Sequence, residues 1–132
     1  MGSLTCYLAG ARSLTAVEEW KSAANLMERN LKGNGINNVI VIKGKAEEFM
    51  TNMPGAYGLI VLDPPRGGCE RAVLNKIIGS GIDRVLYVSC NPATLARDLK
   101  ILKEGGYNPK SVRAFDMFPQ TVHIETVVLM GR

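Results

Sequence analysis

Short apolar runs alternate with longer amphipathic stretches along this chain, so a strand period and a helix period take turns. Leu14 to Val17 read as a short strand, and after Glu18 and Glu19 the residues Trp20, Ala23, Ala24, Met27 and Leu31 fall on one helical face. Gly33-Asn34-Gly35 end that helix. Val39 to Ile42 form a continuous β-branched run, suited to a strand buried on both faces of a parallel sheet. Ala46 to Met50 allow a short helix. Leu59 to Leu62 predict a strand that stops at Asp63-Pro64-Pro65, because proline cannot supply a ladder hydrogen bond. Glu70 to Ile78 fit a crossover helix, and Val85 to Val88 the next strand. Asn91 is then a good helix N-cap and Pro92 suits the first helical position. Leu95, Leu99 and Leu102 repeat at helical spacing until Gly105-Gly106. This alternation predicts an α/β fold with an open, mostly parallel sheet. Val112 to Met117 and Val122 to Met130, separated by a turn around Phe118-Pro119-Gln120, predict a C-terminal antiparallel hairpin. No repeat or internal linker interrupts the pattern, so residues 1–132 read as one unit.

Composition narrows this only slightly. A chain of 132 residues with 46% hydrophobic content is the size of one ordinary domain with a proper core. The three cysteines, Cys6, Cys69 and Cys90, are an odd number without paired metal-ligand spacing, which argues against a disulfide framework and a zinc site. A reducing, cytoplasmic setting fits best. No apolar run approaches membrane-spanning length, and no signal-peptide pattern is present. The net charge of +4 mildly favours an anionic partner such as RNA, although plain soluble enzymes often carry as much.

In open α/β sheets ligands bind beyond the carboxyl ends of the parallel strands, so the polar residues at those ends are the candidates. Glu18 closes the first strand, Asp63 closes the strand Leu59 to Leu62, and Cys90 follows Val85 to Val88. Cys90 lies at a strand end beside the free amides and dipole of a helix start, a setting that suits a nucleophile; the plain alternative is a small cysteine filling space. The last strand, being antiparallel, starts at the same edge and brings Glu125 within reach of Cys90. Alternation puts Glu125 on the face of His123, Val127 and Leu129, where a partly desolvated carboxylate suits general-base duty; the plain alternative is a solvated carboxylate at the strand's mouth, paired with a nearby Arg. Glu18 is as readily a cap of the following helix as a ligand. Asp-Pro-Pro holds the backbone extended, which fixes the Asp63 carboxylate at the sheet edge. His123 is the single histidine, which leaves little for a metal cluster or a Ser-His-Asp arrangement. Cys6 and Cys69 lack the helix-start setting and read as bystanders. Trp20 reads as core. Arg66, Arg71, Arg97 and Lys100 could track phosphates, although scattered basic residues are usually solvated surface.

Three segments occur in order: Leu62-Asp63-Pro64-Pro65-Arg66-Gly67-Gly68, Val88-Ser89-Cys90-Asn91-Pro92-Ala93-Thr94-Leu95-Ala96-Arg97-Asp98-Leu99, and Phe118-Pro119-Gln120-Thr121-Val122-His123-Ile124-Glu125. Together they resemble the catalytic domain of the RNA uracil-5-methyltransferases, which act on transfer RNA and large-subunit ribosomal RNA. The resemblance runs from about Leu4 onward and implies a Rossmann-like, S-adenosylmethionine-dependent methyltransferase fold. It implies that Cys90 attacks carbon 6 of uracil and that Glu125 removes the carbon 5 proton. It implies further that Glu18 binds the ribose hydroxyls of S-adenosylmethionine, and that Asp63 lies near its methionine end and the target base. Ala46 falls in the stretch that lines the adenine. The target base must be unstacked or single-stranded to be reached.

The front of the chain departs from the family. The strand and Gly-rich turn that precede a helix like Leu4 to Leu8 are absent, as is the upstream RNA-binding region, so the chain reads as a truncated catalytic domain without its first strand. Weak cofactor binding and no turnover by the chain as given are expected on that reading. Two further readings stay open: a non-catalytic module of the same fold that docks RNA or protein, and a cysteine hydrolase using Cys90 with His123. Oligomeric state is open as well.

Overall fold

The computed structural model describes residues 9–53, 56–116, 120 and 124–132. The helix read at Leu4 to Leu8, with Cys6, lies outside the described residues, as does His123. The chain divides into two compact units, Met1–Met53 and Pro54–Arg132.

In the first unit β1 (Leu14–Glu18) and β2 (Val39–Lys43) form a parallel ladder from Leu14 opposite Val39 to Glu18 opposite Lys43. A parallel pair needs a crossover, and α1 (Lys21–Gly33) supplies it; α2 (Ala46–Thr51) follows. Ala24 and Leu31 of α1 are buried with Ala16 and Ile36. Two sequence expectations are corrected here. Trp20 is the N-cap of α1, with extended backbone angles, so its ring leaves the apolar stripe and is 73% exposed. The β2 run is not buried on both faces: Ile40 is exposed, because α1 packs on one side of a ladder that has only two strands.

The second unit contains β3 (Ile60–Leu62), α3 (Arg71–Gly79), β4 (Arg84–Ser89), α4 (Pro92–Glu104), β5 (Asn108–Asp116) and β6 (Ile124–Gly131). Its sheet has the order β3-β4-β6-β5, with β3 parallel to β4 and β6 antiparallel to both β4 and β5. The predicted C-terminal antiparallel pair is therefore present, and β5 starts earlier than the apolar pattern suggests, with a register irregularity between Pro109 and Ser111. The parallel strands are divided between two ladders, one in each unit.

Period-two burial on β4 turns Val85, Tyr87 and Ser89 inward, and Val128 and Met130 of β6 lie opposite Tyr87 and Val85. Val73, Leu74 and Ile77 of α3 and Leu95 and Leu102 of α4 complete this core. Full burial of each large apolar side chain, such as Leu74, Ile77 or Leu102, contributes about 1.5–3 kcal/mol. The third buried member of the α4 stripe is a carboxylate, Asp98, while Leu99 is only half-buried. Gly105, which ends α4, is required for packing: a Cβ there would lie 2.4–2.8 Å from the side chain of Ile78. Among the described residues no helix is long and apolar enough to cross a membrane.

Candidate active site

β4 ends at Ser89, and the next three residues turn the chain into α4. The Asn91 side chain accepts from the Ala93 N–H at 3.1 Å and Pro92 follows as the first helical residue, as the sequence predicts. The buried Ser89 hydroxyl reaches past Cys90, accepting from the Asn91 N–H and donating to the Asn91 carbonyl, both at 3.1 Å. Cys90 is thus held at the apex of a short turn, half-buried and with its thiol free of any disulfide. This is the strand-end, helix-start placement that the sequence called for.

β3 ends at Leu62, which pairs with Tyr87, and Asp63 follows as an exposed carboxylate at the same carboxyl edge of the sheet. The loop after Pro65 is held by α4. The Arg66 carbonyl accepts from the Asn91 side-chain amide and from the Thr94 hydroxyl, each at 3.0 Å. Arg97 donates to the Gly67 carbonyl at 2.9 Å and to the Cys69 carbonyl at 3.3 Å. Gly68 must be glycine, since its φ is +77° and a Cβ would lie 2.6 Å from both Arg97 and Asp98 side-chain atoms.

Beneath this loop lies the fully buried Asp98 carboxylate. Oδ2 accepts from the Cys69 N–H at 2.7 Å and the Tyr87 hydroxyl at 2.5 Å, and Oδ1 pairs with Arg97 at 2.8 Å. All of its demand is met inside the protein, as a buried charge requires. Burial pushes the Cys69 thiol up to about 11, and burial together with the Asp98 hydrogen bond raises the Tyr87 hydroxyl well above its usual range. The sequence reading missed Asp98 and Tyr87, and it did not foresee the bonds of the half-exposed Arg97 to Asp98 and the loop carbonyls. The available signal was the spacing of Leu95, Asp98 and Leu102, which puts Asp98 on the apolar stripe.

The antiparallel register runs from Arg84 opposite Gly131 to Ser89 opposite Thr126. Glu125 is the next residue outward on β6, one position beyond the Ser89–Thr126 pair, as Cys90 is the first residue beyond β4, and Glu125 is half-buried. It alternates with Thr126 and Val128, so it lies on the sheet face away from α3 and α4. The second unit therefore brings Cys90, Asp63 and Glu125 to one edge of one sheet.

Glu18 belongs to the first unit, where it is the last residue of β1. Its Oε1 accepts from the Trp20 N–H at 2.9 Å, so it does act as a local turn partner, and its backbone carbonyl accepts from the Gly44 N–H at 3.1 Å. Ala46 opens α2 and is half-buried. Among the described residues no cluster of histidine, cysteine and acidic side chains could hold a metal ion.

Residues 55–132 match the family model described as tRNA (uracil-5-)-methyltransferase. A Bacillus cereus protein named as an RNA methyltransferase is 47% identical over 139 aligned residues, covering all of this chain and 30% of that protein. One from Halalkalibacterium halodurans, similarly named, is 44% identical, covering 98% of this chain and 29% of its own length. Among solved structures, the Pyrococcus abyssi tRNA (uracil-54, C5)-methyltransferase in complex with S-adenosyl-L-homocysteine superposes with a TM-score of 0.80. It is 27% identical, over 89% of this chain and 28% of that one. An rRNA methylase from Streptococcus thermophilus shares the fold at a TM-score of 0.73 and 14% identity, over 99% of this chain and 80% of that one. The chain spans about three tenths of the length of the curated relatives it matches.

Proposed function

This chain belongs to the tRNA (uracil-5-)-methyltransferase family, and from that premise we propose that it serves S-adenosylmethionine-dependent methylation of carbon 5 of uridine in transfer or ribosomal RNA. The observation that supports the reading is the β4–β6 register, whose last pair, Ser89–Thr126, is followed by Cys90 on one side and preceded by Glu125 on the other, at the sheet edge where Asp63 also stands.

Each unit, taken by itself, holds one carboxylate whose chemistry suits a part of the cofactor. Glu18 is a half-buried carboxylate at the end of a parallel strand, with one oxygen on the Trp20 N–H, and suits a ribose diol. Asp63 is an exposed carboxylate that suits the cationic, methionine end. When bound, S-adenosylmethionine supplies the methyl group.

The chain's own residues act on the pyrimidine. Cys90 Sγ adds as thiolate to carbon 6, and the electron pair displaced from the 5,6 double bond makes carbon 5 nucleophilic. Once carbon 5 is methylated, the Glu125 carboxylate takes its proton, the carbon–sulfur bond breaks, and the double bond re-forms. No water is needed for these steps. The ring must be unstacked for its carbon 6 to meet a side chain at a sheet edge.

The test uses RNA carrying 5-fluorouridine with S-adenosylmethionine, and intact mass spectrometry of the chain joined in register to the remaining length of the Bacillus cereus relative. Fluorine cannot leave as a proton, so the reaction stalls as a protein–RNA adduct. An adduct that Cys90→Ser abolishes is the expected result. Absence of an adduct on RNA shown to bind moves the reading to a non-catalytic RNA-docking module.

A further inference from the structure

The loop from Arg66 to Cys69 belongs to no sheet ladder, so its backbone groups need partners from elsewhere. The Gly68 N–H bonds the Pro65 carbonyl at 2.9 Å, and four other groups find partners on one helix face. Asn91, Thr94, Arg97 and Asp98 are spaced by three and four residues, which aligns them along a single side of the first two turns of α4. Between them they bond the Arg66, Gly67 and Cys69 carbonyls and the Cys69 N–H. Every one of these bonds runs from a helix side chain to loop backbone. Apolar packing would tolerate sliding, whereas directional bonds of 2.7–3.3 Å fix a position.

Asn91 does more than capping demands. A cap requires only an acceptor, which its Oδ1 provides to Ala93 and which aspartate or serine would provide equally well. Its side-chain N–H is surplus to that task and is spent on the Arg66 carbonyl. The Thr94 hydroxyl reaches the same carbonyl at 3.0 Å, with the Asn91 carbonyl as its longer alternative at 3.3 Å. On the loop side, Pro64 and Pro65 lock two successive φ angles, so the placement of Arg66 is transmitted stiffly to Asp63. On the helix side, Asn91 is bonded directly to Cys90.

We propose that Asn91 and Thr94 are positioning residues for the methyl-transfer reaction: they clamp the Arg66 carbonyl and thereby set the Asp63 loop against Cys90. The proposal rests on the functional reading above. Asn91 and Thr94 touch neither substrate nor cofactor in this role and act through the geometry of the two groups they link.

Three variants test it. Asn91→Asp keeps the cap acceptor and loses the donor, Thr94→Val removes the hydroxyl at nearly constant shape, and Thr94→Ser restores it. In the chain itself, amide exchange at residues 67–69 is expected to speed up by about tenfold or more in the first two variants, while α4 amides stay protected. In the methyl-transfer assay, the first two are expected to lower kcat by roughly 10²-fold, the scale of a misplacement near 1 Å, with KM for RNA unchanged and KM for the cofactor raised as Asp63 shifts. Thr94→Ser is expected to return close to the parent kcat. An active parent with variants of unaltered kcat overturns the clamp alone. Loss of α4 protection together with a parallel rise in KM for RNA overturns it in favour of a plain structural cap. A parent that never turns over, with exchange behaving as expected, overturns the methyl-transfer reading and the positioning role with it.

Discussion

The Ser89 hydroxyl bridges Cys90 by holding both backbone groups of Asn91, accepting from its N–H and donating to its carbonyl at 3.1 Å each. Ser89 is only 6% exposed, so water cannot readily replace it. Ser89→Ala leaves the Asn91 N–H without that acceptor and is expected to cost about 1–3 kcal/mol. Urea unfolding measures the loss, and peptide-resolved labelling with iodoacetamide should show Cys90 reacting faster as its turn opens. Unchanged stability and unchanged labelling would mean that the bridge is incidental.

Asp98 has no exposed surface and is the common partner of Tyr87, Arg97 and the Cys69 N–H. Asp98→Ala strands a buried hydroxyl and N–H, so a loss of about 1–3 kcal/mol for each stranded group is expected. Asp98→Asn keeps the volume and an acceptor and should cost distinctly less. Denaturant midpoints for the two variants compare the charge with the shape. Equal losses would assign the whole effect to the charge.

The same cluster makes stability depend on alkaline pH. Unfolded, Cys69 gives up its proton near its ordinary value of 9.0, whereas burial holds it until about 11 in the folded protein. Between those values the unfolded chain binds fewer protons than the folded one, so stability is complete below pH 9 and falls as pH rises toward about 11. Tyr87, also raised, adds to the fall once pH passes its ordinary 10.0. Urea midpoints across this window should decline, and Cys69→Ala should flatten the decline from its lower end. An identical slope in that variant would remove Cys69 as the source.

Periodicity made the elements legible because each strand and helix announces which side it buries: Val85 and Tyr87 alternate, and Leu95 and Leu102 recur on one helix face. The edge placement of Asp63 and Cys90 followed from the strand ends alone, and Glu125 followed from the antiparallel return. Asp98 stayed hidden because a charged residue on an apolar stripe reads as an error in the pattern until its partners are visible. Those partners, the Cys69 N–H and the Tyr87 hydroxyl, come from a loop 29 residues away and from a strand 11 residues away. The bonds of Arg97 to loop carbonyls were hidden for the same reason, since they are a tertiary fact.

Trp20 gives the sharpest check on the first unit. Its spacing to Ala24, Met27 and Leu31 places it on the apolar stripe, yet as the N-cap of α1 it has extended backbone angles of −77° and 110° and lies off the helical cylinder. Its backbone N–H is spent on Glu18 and its ring is left 73% exposed. As the single tryptophan it reports its own surroundings without interference. The native protein should show solvent-like emission, readily quenched by acrylamide and nearly unshifted on unfolding. Trp20→Ala should change stability by no more than about 0.5 kcal/mol, the usual range for surface positions, because the bond to Glu18 is made by backbone and survives the substitution. A blue-shifted native spectrum that moves to longer wavelength on unfolding, with a loss well beyond that range in the variant, would return Trp20 to the core and overturn the α1 boundary.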